Sequence, residues 1–299
     1  MASSAPLLVE PAPLSIPTFG WQRWVSAGFS LALLVVIAGQ LDRADLLAVL
    51  GLVPSSRLFW LVFAAYFLTE PLSQWIIFRR LWGLPFAGIR ALLLKIVCNE
   101  MLVGYSGEVY FYTWARRHAD LVGSPFGAVR DVAVTSALVG NAATIALLPF
   151  VLPALHSFGL GAYARPAIWS IVALLVGSIG AVLWGSRIFA VGRRELVVMS
   201  AVHLVRLLAT TGLLALMWML VLPQVPIMLW GMLAALRQLI ARLPFVPNKD
   251  IMFAGATAFL VGQETQVSAL ITMCAGFLLA AYVVVGGVLS IASLLEAQR

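Results

Sequence analysis

Long apolar stretches, separated by short segments that hold most of the arginines, are the feature that most constrains this sequence. A helix that crosses the hydrocarbon core of a bilayer needs roughly 20 apolar residues. Six stretches reach about that length, and they cover residues 22–40, 58–78, 131–151, 166–184, 196–222 and 267–293. Because 62% of the 299 residues are apolar and only 10% are charged, too little polar surface remains to coat a water-soluble globule. The sequence therefore predicts an all-α polytopic membrane protein, and argues against a soluble enzyme, a nucleic-acid-binding protein and a disordered scaffold.

Two further apolar stretches, residues 88–118 and 227–263, are interrupted near their middle. The first is broken by G-Y-S-G at residues 104–107, and the second by P-F-V-P-N at residues 244–248. Irregular backbone at membrane depth is tolerated only where protein buries it or where it lines a cavity. We therefore interpret each stretch as a re-entrant helical hairpin, with two ordinary kinked spans as the alternative.

The two halves of the chain resemble one another in the order and length of their segments. One constant offset superposes three spans of the first half on three spans of the second, and the first hairpin on the second. The same offset places Lys95 on Arg237 and Glu108 on Asp250. Because three spans and a hairpin give an odd number of crossings, the second half must enter the membrane in the opposite orientation. This pattern predicts an inverted repeat whose hairpins approach each other near the midplane, as in many secondary transporters.

The expected domain organisation is a flexible cytoplasmic tail at residues 1–20 and one transmembrane domain at residues 21–299, with half-repeats at about 21–152 and 163–295. Arginine is concentrated in the segments that a cytoplasmic amino terminus would place inside, as the positive-inside rule requires. These residues are Arg79, Arg80, Arg90, Arg116, Arg117, Arg130, Arg187, Arg193 and Arg194. Together with the excess of arginine over lysine and the absence of barrel-type alternation, this pattern predicts a multi-pass protein of the bacterial inner (cytoplasmic) membrane.

Charged residues inside the apolar stretches mark the candidate site, because each costs roughly 2.5–3.5 kcal/mol to insert. If the two hairpins meet, their polar residues share one pocket. Helix N-termini that open near the two breaks would add partial positive charge directed at an anion. The predicted substrate-binding residues are Lys95, Asn99, Glu100, Gly104, Gly107 and Glu108 in the first hairpin and Arg237, Arg242, Lys249 and Asp250 in the second, with Glu70 and Arg206 as secondary candidates.

Several of these residues have structural alternatives. Glu70 could serve only to hydrogen-bond a neighbouring helix beside Pro71, and Arg206 could extend its side chain toward the lipid headgroups. Glu100 and Arg242 could form an ion pair that locks the two halves together. The charged hairpin tips could instead lie exposed at the membrane surface.

The sequence contains no H-E-x-x-H, C-x-x-C, P-loop or G-x-S-x-G motif. The three histidines, His118, His156 and His203, fall in different segments, and Cys98 and Cys274 both lie inside apolar stretches. We therefore expect no enzymatic activity, no cofactor, no metal site and no disulfide.

Two short motifs, V-G-Y-S-G-E at residues 103–108 and L-P-F-V-P-N-K at residues 243–249, resemble a known family. They are similar to the P-G-x-x-G-E and L-P-x-x-P-G-G hairpins of the transmembrane flippase domain of lysylphosphatidylglycerol synthases. Val103 replaces the family's first proline, Asn248 and the residue after it replace its glycines, and Phe111 stands where an arginine is usual. The chain thus resembles a stand-alone, divergent member of this family.

The resemblance implies movement of an anionic, modified or isoprenoid-linked lipid between leaflets. The headgroup would occupy the pocket between the hairpins, where Glu108 and Asp250 would act as gating or proton-coupling groups. The cations expected to hold its phosphate are Lys95, Arg237, Arg242 and Lys249. The alternatives are a transporter of a small anionic solute and a non-transporting scaffold for an envelope-biosynthesis enzyme. Besides the membrane lipid, candidate partners are a second copy of the chain or such an enzyme, and no nucleic acid is expected.

Overall fold

The computed structural model describes residues 53–101, 106–118, 125–157, 189–241, 248–261 and 265–297, together with Trp169 and Val176. Every extended regular element in this part of the chain is an α-helix. The helices are α1 (Arg57–Trp82), α2 (Gly88–Met101), α3 (Ser106–His118), α4 (Pro125–Ser157), α5 (Arg193–Val221), α6 (Ile227–Ile240), α7 (Lys249–Val261) and α8 (Thr265–Ala297). The predicted all-α fold class is confirmed.

Four of the six predicted spans coincide with the long helices α1, α4, α5 and α8, which mostly extend a few residues further. The span predicted at 22–40 lies outside the described residues, as does the one at 166–184 except for helical Trp169 and Val176. Three described helices are long and apolar enough to cross a membrane, namely Arg57–Trp82, Arg193–Val221 and Gln266–Leu289. At 1.5 Å per residue, the 26 residues of α1 give a length of about 39 Å, more than the ~30 Å hydrocarbon core. These helices fit the prediction of a membrane protein.

The two interrupted stretches each form a pair of short helices, α2 with α3 and α6 with α7. In the first pair, α2 ends before residues 102–105 and α3 begins after them. In the second pair, α6 ends before residues 242–247 and α7 begins after them. The breaks themselves lie outside the described residues. The helix boundaries therefore fall beside the predicted breaks, although Ser106 and Gly107 of the first predicted break already belong to α3.

Helices α1 and α5 pack against each other in opposite directions. Arg80, near the end of α1, lies 2.6 Å from Glu195 at the start of α5. Ten residues earlier in α1, Glu70 lies 3.2 Å from Arg206, which is further along α5. The residue number in α1 falls from 80 to 70 while the number of its partner in α5 rises from 195 to 206. The two helices are therefore antiparallel.

The two short-helix pairs start at opposite ends of the bundle. Helix α1 ends at Gly83, which adopts a φ of 63° and donates its N–H to the Arg79 carbonyl at 2.8 Å. This left-handed conformation is accessible to glycine without steric cost, and it turns the chain into α2 within a few residues. Helix α6 likewise follows the end of α5 after a short turn. Since α1 and α5 are antiparallel, α2 and α6 begin at opposite ends.

The described residues beside the two breaks meet within the bundle. The backbone N–H of Asn248, just before α7, donates to the backbone carbonyl of Glu100, near the end of α2, at 2.9 Å. This bond joins the second pair to the first. It brings the polar residues near both breaks to one place.

The helices of the two halves are interleaved. Helix α2 packs on α8, and α6 packs on α4. At the first of these contacts, a Cβ on Gly286 would lie 2.7 Å from Cγ1 of Val97, so only glycine lets the helices come this close. The helix order is also repeated, since lengths of 26, 14, 13 and 33 residues are followed by 29, 14, 13 and 33.

Gly107 closes the first short-helix pair. Its N–H donates to Oδ1 of Asn99 at 2.7 Å. A Cβ at this position would lie 2.7 Å from the same Oδ1 atom and would overlap the carbonyl oxygen of Lys95. The approach of α3 to α2 therefore requires glycine.

We expect Gly107→Ala to lower the melting temperature of the purified protein in detergent by several degrees, because such overpacking costs about 1–3 kcal/mol. The matched control is Gly231→Ala in α6, where an added Cβ meets nothing within 4 Å. This control should match or exceed the wild-type melting temperature, since alanine favours helix by up to about 1 kcal/mol. A Gly107→Ala protein as stable as the control would contradict the close approach.

Candidate functional site

A cavity of about 350 Å³ lies where the two short-helix pairs meet, and all eight described helices contribute to its wall. The volume is near the lower end of the ~300–1,000 Å³ typical of small-molecule sites. Its polar lining consists of Tyr66, Glu70, Gln74, Lys95, Asn99, Glu100, Glu108, Ser136, Asn141, His203, Arg206, Thr210, Arg237, Gln238, Lys249, Asp250 and Tyr282. In so apolar a chain, this concentration of charge in one internal space requires a physical explanation.

The structure brings together nine of the twelve candidate residues from the sequence. The residues at the cavity wall are Glu70, Lys95, Asn99, Glu100, Glu108, Arg206, Arg237, Lys249 and Asp250. Gly107 is not part of the wall, and contributes instead by holding the Asn99 side chain. Gly104 and Arg242 lie outside the described residues, and so does the suggested Glu100–Arg242 ion pair.

Lys95 holds the first short-helix pair together from inside. Its side chain is 3% exposed, and its Nζ lies 3.2 Å from Oε1 of Glu108 on α3. Nζ also donates to Oε1 of Gln74 on α1 at 2.7 Å. Asn99 Nδ2 donates to the same Glu108 oxygen at 3.3 Å. One cation therefore connects α2 with α3 and α1.

Arg237 does the same for the second pair. Its guanidinium donates to Oδ1 of Asp250 on α7 at 2.8 Å, and a second nitrogen donates to the hydroxyl of Tyr66 on α1. The offset that relates the two halves places Lys95 on Arg237 and Glu108 on Asp250. Equivalent positions in the two halves thus form equivalent ion pairs, a result that the sequence comparison alone did not predict.

A third ion pair joins α1 to α5 at the cavity. Arg206 lies 3.2 Å from Oε1 of Glu70, which also accepts a hydrogen bond from Gln74 Nε2 at 3.1 Å. Arg206 donates in addition to Ser136 Oγ on α4 at 3.0 Å. This geometry matches the alternative in which Glu70 makes a polar contact with a neighbouring helix. Arg206, by contrast, points into the bundle rather than toward lipid headgroups, and His203, one turn earlier, is 1% exposed.

Three ion pairs leave one cation and one carboxylate at the cavity without an opposite charge in direct contact. Lys249 Nζ donates to the backbone carbonyl of Ala241 at 3.2 Å, and forms no ion pair with any described residue. Glu100 Oε2 is buried and has no hydrogen-bond partner in the described part of the chain. The described residues place four cations and four carboxylates at the wall, and this set is formally neutral when all are ionised. Lys95 and Arg237 are therefore already paired with carboxylates. This differs from the expectation that Lys95, Arg237, Arg242 and Lys249 all hold the phosphate.

Asn248 stands at the start of α7 with a φ of 53° and is 1% exposed. Its carbonyl accepts the N–H of Ile251 at 3.0 Å, so it caps the helix. A positive φ disfavours most side chains, and asparagine is one of the few residues besides glycine that tolerate it. The residue type at this position is therefore set by backbone geometry.

Sequence reasoning missed Tyr66 and Gln74, which lie with Glu70 in the wall of the cavity, as part of the site. All three lie on α1 at intervals of four residues, which places them on one face of the helix. A search for polar residues at helical spacing within an apolar span would have found them. Ser136 carried no such signal, because an isolated hydroxyl in a span is common.

Comparisons of the chain with protein-family models, curated proteins and solved structures find no match. The resemblance to the flippase domain stays a proposal. The site is therefore interpreted from its own geometry.

We expect Arg237→Met to destabilise the protein strongly, because it leaves the Asp250 carboxylate buried without its cation, which costs about 3–5 kcal/mol. The double variant Arg237→Met/Asp250→Asn should recover most of the lost melting temperature in detergent. Arg80→Met serves as the control, since the exposed Arg80–Glu195 pair is worth only about 0–1 kcal/mol. Additive losses in the double variant would show that the two residues do not interact.

Proposed function

We propose that this protein moves a lipid between the leaflets of a membrane, and that the lipid headgroup binds in the charged cavity. The observation that carries the proposal is a polar internal space, lined from both short-helix pairs, in a chain whose outer helix faces are apolar. Charged residues are costly inside a membrane and usually mark a substrate or ion pathway. The acyl chains would remain in the bilayer while the headgroup crosses.

We propose further that the two halves form an inverted repeat and that α2–α3 and α6–α7 are re-entrant hairpins. Three observations support this arrangement: the repeated order of helix lengths, the antiparallel packing of α1 and α5, and the start of α2 and α6 at opposite ends. Broken helices that meet between inverted halves form the substrate sites of many secondary transporters. The meeting of Asn248 with Glu100 then lies near the bilayer midplane.

The membrane orientation follows from the arginines. The Arg80–Glu195 pair joins the end of α1 to the start of α5, where Arg79, Arg193 and Arg194 also lie. The positive-inside rule assigns such an end to the cytoplasm. We place the protein in a bacterial inner membrane with its amino terminus in the cytoplasm.

The left-handed conformation of Asn248 supports the proposed kinship with the flippase domain of lysylphosphatidylglycerol synthases. That family has glycine at the corresponding place in its second hairpin motif. A backbone with positive φ explains why glycine suits this position and why asparagine can replace it. The departure in sequence is thus compatible with the same local backbone.

The outer surface is compatible with a lipid as the substrate. Leu61 on α1 and Val205 and Leu208 on α5 are each more than 60% exposed. An outer face of this kind is suited to acyl chains, so a headgroup in the cavity and chains on the helix surface can be accommodated together. Motion of one half against the other would carry the headgroup across.

The ion pairs indicate which contacts such a motion would change. Glu70 and Arg206 join α1 of the first half to α5 of the second. Lys95–Glu108 and Arg237–Asp250 instead each lie within one half, and keep each short-helix pair intact. A headgroup that competes for Glu70 or Arg206 would loosen the contact between halves without opening either pair.

The direct test is a leaflet-exchange assay in liposomes, with fluorescent lipids labelled on the acyl chain and differing in headgroup. We expect the wild-type protein to move at least one headgroup class well above protein-free liposomes. Glu108→Gln, which removes the charge at constant shape, should slow this movement by about tenfold or more because it releases Lys95. The control is Arg57→Gln, at the exposed start of α1 and remote from the cavity wall.

Failure of every headgroup class to move would overturn the proposed lipid transport. Equal rates for wild type and Glu108→Gln would show that the cavity is not on the transport route. The control variant should match the wild type in both membrane insertion and rate.

A further inference from the structure

Among the described residues, the charges at the cavity wall are balanced, and this balance constrains the ligand. Four cations face four carboxylates, and three pairs of them are in direct contact. A ligand with net negative charge would have to bind beside four carboxylates without a net positive field to offset them. Like charges at short range in a poorly hydrated space repel by several kcal/mol.

The wall offers both kinds of hydrogen-bonding group to a ligand. Two carboxylate oxygens, Glu100 Oε2 and Glu108 Oε2, are buried and have no hydrogen-bond partner among the described residues. Arg206 Nε is a buried donor that also has no hydrogen-bond partner among the described residues. Unpartnered buried polar atoms are rare, and each costs about 1–3 kcal/mol unless a ligand or water satisfies it. The cavity wall therefore offers both hydrogen-bond acceptors and a hydrogen-bond donor to a ligand or to water.

The two residues whose charges have no ion-pair partner among the described residues belong to segments that meet at the junction of the short-helix pairs. Glu100 accepts the N–H of Asn248 on its backbone carbonyl at 2.9 Å, and Lys249 is the next residue along the chain. Both side chains line the cavity, yet neither forms an ion pair with any described residue. The backbone thus joins the segments that carry these two side chains, and both side chains line the same cavity.

We propose that this site takes a zwitterionic headgroup, an ammonium group joined to a phosphate ester, with Glu100 binding the ammonium and Lys249 the phosphate. The inference rests on the proposed function and specifies the substrate class of the same site. An ammonium group supplies donors to the unpartnered oxygens of Glu100 and Glu108. A phosphate supplies acceptors to Lys249 and to Arg206 Nε. The bound ligand leaves the cavity neutral and satisfies both sets of groups.

The first experiment needs no variant. Acyl-labelled phosphatidylethanolamine, its N-acetylated derivative and phosphatidylglycerol are compared in the liposome assay. The N-acetyl derivative keeps the phosphate and removes only the positive charge. We expect phosphatidylethanolamine to move at least tenfold faster than the other two. Equal or faster movement of phosphatidylglycerol would overturn the zwitterion proposal and leave lipid transport intact.

The second experiment assigns the two residues. Glu100→Gln should abolish the preference for phosphatidylethanolamine by slowing that lipid alone, whereas Lys249→Gln should slow all phosphate-bearing lipids alike. The matched control is Glu195→Gln, the same change at an exposed carboxylate paired with Arg80. A preference that survives Glu100→Gln would overturn the role of Glu100.

The third experiment separates a lipid from a free solute with the same chemistry. Glycerophosphoethanolamine and glycerophosphoglycerol are added to the detergent-solubilised protein, and its melting temperature is measured. One outcome is that no lipid moves in liposomes, but glycerophosphoethanolamine, and not glycerophosphoglycerol, stabilises the wild type and fails to stabilise Glu100→Gln. The site then recognises a zwitterion, and the proposal that the zwitterion is part of a lipid is wrong. If neither compound stabilises the protein and no lipid preference is found, the proposal fails.

Discussion

The pairing of opposite charges inside an apolar helix bundle is the interaction on which the rest of this structure depends. A lone charge among apolar side chains is costly, so each buried cation must lie beside a carboxylate or a carbonyl. Here each of the three ion pairs at the cavity joins two different helices: α2 to α3, α6 to α7, and α1 to α5. The requirement to neutralise charge thus fixes which helices are neighbours. It also explains why the polar groups collect in one internal space.

Much of the helix architecture could be predicted from the sequence because it depends on local composition. The lengths of the apolar runs set the long helices, and glycine and proline set the two breaks. Lys95, Asn99 and Glu100 all line the cavity, because their spacing of four and five residues places them near one face of α2. Which charged side chains pair with each other could not be predicted, because the pairing depends on the directions of side chains on helices that are remote in sequence. Arg237, for example, reaches Tyr66 on α1, a contact that no local pattern encodes.

The overall charge of the protein and the charge of its cavity are separate properties. The sequence carries a formal net charge of +7, which would suggest a site for anions. Most of the arginines responsible instead occur near helix ends and between apolar runs, where they act on membrane orientation. Within the described part of the chain, the cavity wall holds equal numbers of cations and carboxylates. Net charge is therefore a poor guide to the ligand in a protein of this kind.

The interleaving of the halves has a consequence for how the protein is made. Helix α2 packs on α8, so the charged first pair of short helices lacks one of its neighbours until the last described helix leaves the ribosome. Chains are synthesised at about 5–20 residues per second, which makes this delay many seconds long. During that time Lys95 already has its partners on α1 and α3, but the face of α2 at Val97 lacks its neighbour Gly286 on α8. Biogenesis of such a chain therefore calls for an insertion machinery that shelters a half-assembled polar segment until translation is complete.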